Sequence, residues 1–127
     1  MFDRVSAWSP QMLSVLRIVS GLTFMVHGTQ KLLNFPPAAR AVALSTLPGM
    51  AGFFELIGGA LIALGLFTRP AAFLCSGVMA VAYFYAHAPR SFFPVGNGGD
   101  AAILYCFVFL YIFFAGPGPL SVDKMRR

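Results

Sequence analysis

"AGFFELIGGALIALGLF", residues 51–67, carries a single charge in seventeen residues, Glu55. All the rest is apolar or glycine. A helix of that length rises about 1.5 Å per residue and comes close to spanning a bilayer's hydrocarbon core, which is about 30 Å thick. A carboxylate in such a run is costly unless it is paired, protonated or near water. The stretch therefore raises two questions: what medium surrounds it, and what faces Glu55.

The whole chain answers the first. Of its 127 residues 58% are hydrophobic and only 10% are charged. A soluble domain of this size carries about a quarter charged residues, so this chain's outer surface faces lipid. Its length suits one domain, residues 1–127, made of a few spans. The net charge of +5 is no nucleic-acid signal, because the basic residues stand singly apart from Arg126-Arg127. Cys75 and Cys106 lie in apolar segments with no CxxC or metal-type spacing, and read as small buried hydrophobes rather than a disulfide. The N-terminus lacks signal-peptide features: Asp3 and Arg17 fall in the wrong places and no A-x-A site follows, so the first segment is expected to stay as an anchor.

Four apolar segments emerge, at about 10–33, 49–67, 70–87 and 100–115, predicting an all-α membrane protein, a four-transmembrane-helix bundle with short loops. Ser9 as N-cap and Pro10 at the first helical position open the first, and "NFPP" (34–37) ends it. "AARAVALSTL" (38–47) is expected to form a short interfacial helix. "TRP" (68–70) reads as a tight turn, "APRSFFPVGNGG" (88–99) as a loop, Asp100 as the cap of the fourth helix and "GPGP" (116–119) as its stop. Helices are required because an open strand leaves backbone groups unsatisfied in lipid. An even number of spans puts both termini on one side with Arg4, Arg69, Lys124, Arg126 and Arg127, opposite Lys31, Arg40 and Arg90. The positive-inside rule then places the termini in the cytoplasm. No internal repeat is visible.

Counting from span ends puts Glu55 about 9 Å in from the outer side. His27, Lys31, His87, Asp100 and Arg90 fall at similar heights. Helical spacing aligns Arg17, Gly21, Phe24, Gly28 and Lys31 on the first span, with His27 at the flank. It aligns Ala51, Glu55, Gly58, Ile62 and Gly65 on the second, Ser76, Ala80, Tyr83 and His87 on the third, and Asp100, Leu104, Phe107 and Tyr111 on the fourth. Small residues on the second stripe let another backbone approach. These faces are expected to turn inward together. Three roles compete for the cluster: structural pairing of Glu55 with Lys31 or His27, a proton or quinol-headgroup site, and a metal site using His27, His87, Glu55 and Asp100. The ligands share no short motif, which disfavours the metal. Arg17 either snorkels to the cytoplasmic interface or binds backbone carbonyls where the second span ends. Arg69 and Asp123 share that side and are expected to pair.

"RIVSGLTFMVHGTQKL" (17–32), "GFFELIGGALIALGLFTRPAA" (52–72), "NGGDAAILY" (97–105) and "GPGPLSVD" (116–123) together resemble the DoxX family of small four-helix membrane proteins. Arg17, His27, Gly28 and Lys31 match the first block; Glu55, Gly58, Gly59, Gly65 and Arg69 the second; Asn97, Gly98 and Asp100 the third; Gly116, Pro117, Gly118 and Asp123 the last. The resemblance implies a bacterial or archaeal inner-membrane protein. It also implies a link to membrane quinone oxidoreductases acting on thiosulfate, or to thiol-based and oxidative-stress systems. With no added domain, haem-ligand pattern or redox CxxC, an accessory subunit fits better than an independent enzyme, and no catalytic residue is assigned. Its partners are then the lipid bilayer and membrane redox subunits or further copies of itself; quinone is the cofactor it suggests. His27, Lys31, Glu55, His87 and Asp100 would form the proton or quinone site, and Arg17, Arg69 and Asp123 would serve structure or assembly. The competing reading is a membrane scaffold or a small-solute carrier with a polar pocket near the outer face.

Overall fold

A computed structural model of the chain describes residues 1–38 and 42–127. Among these residues the fold is all-helical, with no strand. Three helices are long and apolar enough to cross a membrane: α1 (Ser9–Leu33), α2 (Leu47–Leu64) and α3 (Thr68–His87). A fourth apolar helix, α4 (Asp100–Ala115), has 16 residues and is shorter. Single turns of helix occur at Asp3–Ser6, Pro94–Asn97 and Val122–Met125. The long helices run antiparallel in sequence order, with packing between α1 and α2, α2 and α3, α3 and α4, and α4 and α1.

Element ends follow local chemistry. Ser9 and Pro10 are the first two residues of α1, with Trp8 rather than Ser9 at the cap position. Asn34 closes α1 in the left-handed conformation. Thr46 caps α2, its hydroxyl accepting from the Gly49 N–H at 3.3 Å. The turn expected at 68–70 lies one step earlier. Gly65 (φ 70°) and Phe67 (φ 48°) reverse the chain, and Thr68-Arg69-Pro70 already form the first turn of α3. Pro70 suits a first turn, where its missing N–H has no intrahelical partner to lose. Gly99, not Asp100, caps α4, and Asp100 makes no cap hydrogen bond. Residues 39–41, Arg40 included, lie outside the described residues. Of the interfacial helix expected over 38–47, residues 38 and 42–46 are turn and irregular chain, and Leu47 already opens α2.

The first two stripes turn inward as expected. In α1, Ser14, Arg17, Gly21, Phe24 and Gly28 are buried, while Val15, Val19, Leu22 and Val26 on the opposite face are 41–55% exposed. Such an apolar outward face suits lipid. In α2 the buried set is Gly49, Gly52, Glu55, Gly58, Gly59 and Ile62. Gly21, Gly28 and Gly59 interlock. A Cβ on Gly21 would lie 2.6 Å from Ala63 N, one on Gly59 2.8 Å from Met25 Cα, and one on Gly28 would fall on Leu56 N. Without a hydrophobic force between helices in lipid, such close backbone packing is what joins them. The expected α4 face is wrong. Leu104, Phe107 and Tyr111 are 59–65% exposed, and Ala102, Phe109 and Ile112 are buried instead. Phe109 meets Phe24 edge-on, ring centroids 4.8 Å apart.

The tail after α4 is stitched to the turn between α2 and α3. Asp123 does not pair with Arg69. Its two carboxylate oxygens accept the N–H groups of Phe67 and Thr68, each at 2.9 Å. Arg69 Nε donates to the Phe113 carbonyl at 3.1 Å. Partial burial pushes the Asp123 carboxyl up from its ordinary 3.8, but the bonds from Thr68 and Phe67 and the nearby Arg126 charge outweigh this and hold it below that value. A depressed carboxyl contributes stability above its unfolded value and loses it as pH falls through the folded one. The clip should therefore hold from neutral pH through the ordinary carboxylate range and open only on acidification below it. Hydrogen exchange at the Phe67 and Thr68 amides checks this: protection should fall on acidification, and Asp123→Asn should remove most of that pH dependence. Equal acid sensitivity in the variant would refute it.

Candidate functional site

At the opposite end of α1 and α2 lies the group built around Glu55. Glu55 is 3% exposed, and its Oε1 accepts a hydrogen bond from Lys31 Nζ at 2.8 Å. Lys31 sits in the last turn of α1, three residues after Gly28, whose backbone lies on that of Leu56 next to Glu55. The glycine contact thus sets the reach of the ion pair. Glu55 Oε2 is buried with no protein partner. A buried carboxylate oxygen left without a donor is costly.

Beside this pair is a cavity of about 690 Å³. His27, Lys31, Glu55 and His87 line it together with Phe24 and Tyr105, and its wall is otherwise mostly apolar. Met50, Phe54, Leu74 and Val81 also border it and are 44–60% exposed. The mouth therefore opens between α2 and α3 onto the outward apolar surface.

Two of the site residues come from distorted turns. Glu55 lies in a π-helical segment of α2, Phe54–Gly58, and His87 ends a second one in α3, Tyr83–His87. A π turn widens the helix and re-aims its side chains, and such turns recur at functional sites. At Gly58 an added Cβ would strike Cys75 Sγ, so glycine there lets α3 pass close to the widened turn. Both cysteines are free. Ser76 ties α3 to α4 by donating to the Cys106 carbonyl at 2.8 Å.

His87 is held by its neighbours in the loop. Its Nδ1 lies 3.1 Å from the Asn97 carbonyl oxygen. Asn97 is 2% exposed; its amide donates to Tyr83 Oη at 3.2 Å and to the Ser91 carbonyl at 3.0 Å, while its Oδ1 accepts from Gly99 N–H at 2.8 Å. His27 lies on the α1 side, its ring edge-on to Tyr105 at 5.9 Å.

Of the five candidate residues, four line one cavity. Asp100 does not: it is exposed at the start of α4, as Arg90 is in the preceding loop. Among the described residues no three His, Cys, Asp or Glu side chains converge as a metal would need. Sequence reasoning missed Asn97 as the anchor of His87 and Tyr105 as a wall. The "NGG" turn signal at 97–99 and the depth of Tyr105, one and a half turns into its helix, were the available clues.

Arg17 lies at the other end of the bundle, beside the 65–67 turn and the tail, and does not snorkel. It is fully buried. Its Nε donates to the Ile62 carbonyl at 2.9 Å, Nη2 to Leu120 at 2.6 Å and Ala63 at 3.5 Å, and Nη1 to Pro117. Two of these carbonyls end α2 and two belong to the tail.

The DoxX family model matches residues 12–88 of the chain. That range holds α1 to α3 and the residues His27, Lys31, Glu55 and His87; α4 and the tail lie beyond it. A Haemophilus influenzae protein described as uncharacterized is 40% identical over 128 residues, covering 96% of each chain. No solved structure matches.

Proposed function

The chain belongs to the DoxX family, and on that premise we propose that this multi-pass membrane protein is an accessory subunit of a quinone-linked oxidoreductase system, of the thiol, sulfur or oxidative-stress type. In this reading all four apolar helices span the bacterial or archaeal inner membrane, both termini are cytoplasmic, and the cavity opens near the outer face. At 16 residues α4 is about 24 Å long, and local thinning of the bilayer accommodates it.

One observation carries the reading: two π-helical turns on different helices bring Glu55 and His87 to the same lipid-facing apolar cavity. The shape suits an amphiphile with a flat polar head and an aliphatic tail. The tail would leave between α2 and α3, and the head would meet Lys31, Glu55, His27 and His87. The orphaned Glu55 Oε2 fits a quinone-type lipid in its hydroxylated form, since it offers a place for one head hydroxyl. Lys31 already occupies the other carboxylate oxygen, and the imidazoles could take up or release protons at a bound head. The electron-transfer chemistry would belong to the quinone and to the partner subunit.

The test is quinone content after mild detergent extraction from the native membrane. Wild type should carry about one quinone-type lipid per chain, and His27→Ala and Glu55→Gln should each lower occupancy several-fold. Equal occupancy in wild type and both variants would overturn the site, and absence of quinone from wild type would overturn the ligand.

A further inference from the structure

The cavity's polar atoms are of unequal kinds. The His87 ring lines the cavity while its Nδ1 is turned to the Asn97 carbonyl oxygen at 3.1 Å. A carbonyl only accepts, so Nδ1 carries the proton and Nε2 of the neutral ring is left with a lone pair. Asn97, itself tied to Tyr83, Ser91 and Gly99, fixes that tautomer. Glu55 Oε2 is buried and unpartnered, and its carboxylate is already bound to Lys31 through Oε1. Two acceptors without protein partners among the described residues therefore belong to residues of the cavity wall, Oε2 buried within it, and Lys31, held on Glu55, is the cationic donor.

Resting on the ligand reading above, we infer that the site selects its ligand by oxidation state, binding the dihydroxy (hydroquinone) head in preference to the dicarbonyl (quinone) head. Two hydroxyl groups can donate to Glu55 Oε2 and His87 Nε2. A dicarbonyl head satisfies Lys31 at most, leaves both acceptors without a proton and sets a carbonyl lone pair against the carboxylate. A hydrogen bond to a charged group contributes enough to make the difference about tenfold or more in affinity. The chain would then be the place where the reduced carrier is held for its partner.

The experiment is calorimetric titration of the purified full chain in detergent with decyl-benzohydroquinone, kept reduced and anaerobic, and separately with the matching quinone. Hydroquinone should bind about tenfold or more tightly. Glu55→Gln should bring the two affinities close together, and so should His87→Phe, which leaves the Lys31–Glu55 bridge intact. Quinone binding as tightly as hydroquinone to wild type overturns the selectivity while leaving the ligand reading in place. A preference that persists in both variants overturns the assignment of the two acceptors. If neither form binds wild type, the ligand reading falls and this inference falls with it.

Discussion

Arg17→Met should release the C-terminal segment and strongly destabilise the protein. The guanidinium supplies donors to the carbonyls of Ile62, Ala63, Pro117 and Leu120 at a fully buried position. Methionine keeps much of the length and apolar volume but no donor. Hydrogen bonds to charged groups contribute about 1.5–3 kcal/mol each, and orphaned buried acceptors cost a comparable amount, so the loss should exceed about 3 kcal/mol. The tail would then rest on the Asp123 clip at the 65–67 turn and on Ser14, whose hydroxyl donates to the Pro117 carbonyl at 3.3 Å and accepts from Leu120 N–H at 3.0 Å. Arg17→Lys should recover only part of the stability, because an ammonium cannot reproduce the planar fork that serves several carbonyls at once. Thermal unfolding in detergent, with hydrogen exchange over residues 116–123, gives the readout. Wild-type melting and tail protection in the methionine variant would refute the clamp.

Gly28→Leu should be of similar severity and should also reach the cavity. A Cβ there falls on the backbone of Leu56, and backbone cannot yield by changing a rotamer. The helices must separate, at a cost of the order of 1–3 kcal/mol or more for overpacking. Separation also pulls Lys31 from Glu55, since each is within three residues of the contact. The variant should therefore melt earlier and lose hydroquinone binding together. Gly21→Leu should lower stability through the contact at Ala63 but disturb the ion pair less, being farther from it. Gly77→Ala is the control: nothing lies within 4 Å of an added Cβ, so stability should hold. Unchanged melting of Gly28→Leu would show that α1 and α2 do not need this approach.

The legible parts of the chain share a cause. Arg17, Gly21, Phe24, Gly28 and Lys31 could be read as one face because charges and glycines stand out against apolar neighbours. The same contrast marked Ala51, Glu55, Gly58 and Ile62. In α4 the contrast is missing, since the helix is apolar on every side. Picking Asp100 and Tyr111 as its inward markers chose the wrong face. In lipid the outward side of a helix can be as hydrophobic as the inward side, and a tyrosine or aspartate near a span end is stable facing the interface. The turn at 65–67 was misplaced because "TRP" looks like a breaker, although proline is well tolerated in a first helical turn.

Composition and the spacing of apolar runs by themselves determined that this is an all-helical membrane protein with an acidic residue held at one end of its second span. The medium sets those features: lipid demands satisfied backbones and tolerates few charges. Only the tertiary structure decided which partner each charge takes. Glu55 pairs with Lys31 because the Gly28–Leu56 approach brings their helices together, whereas Asp123 binds two backbone N–H groups because the tail crosses the 65–67 turn there. The π turns that bring Glu55 and His87 to one cavity also belong to the packed helices, because a helical pattern specifies which residues share a face but not where the backbone widens to re-aim them.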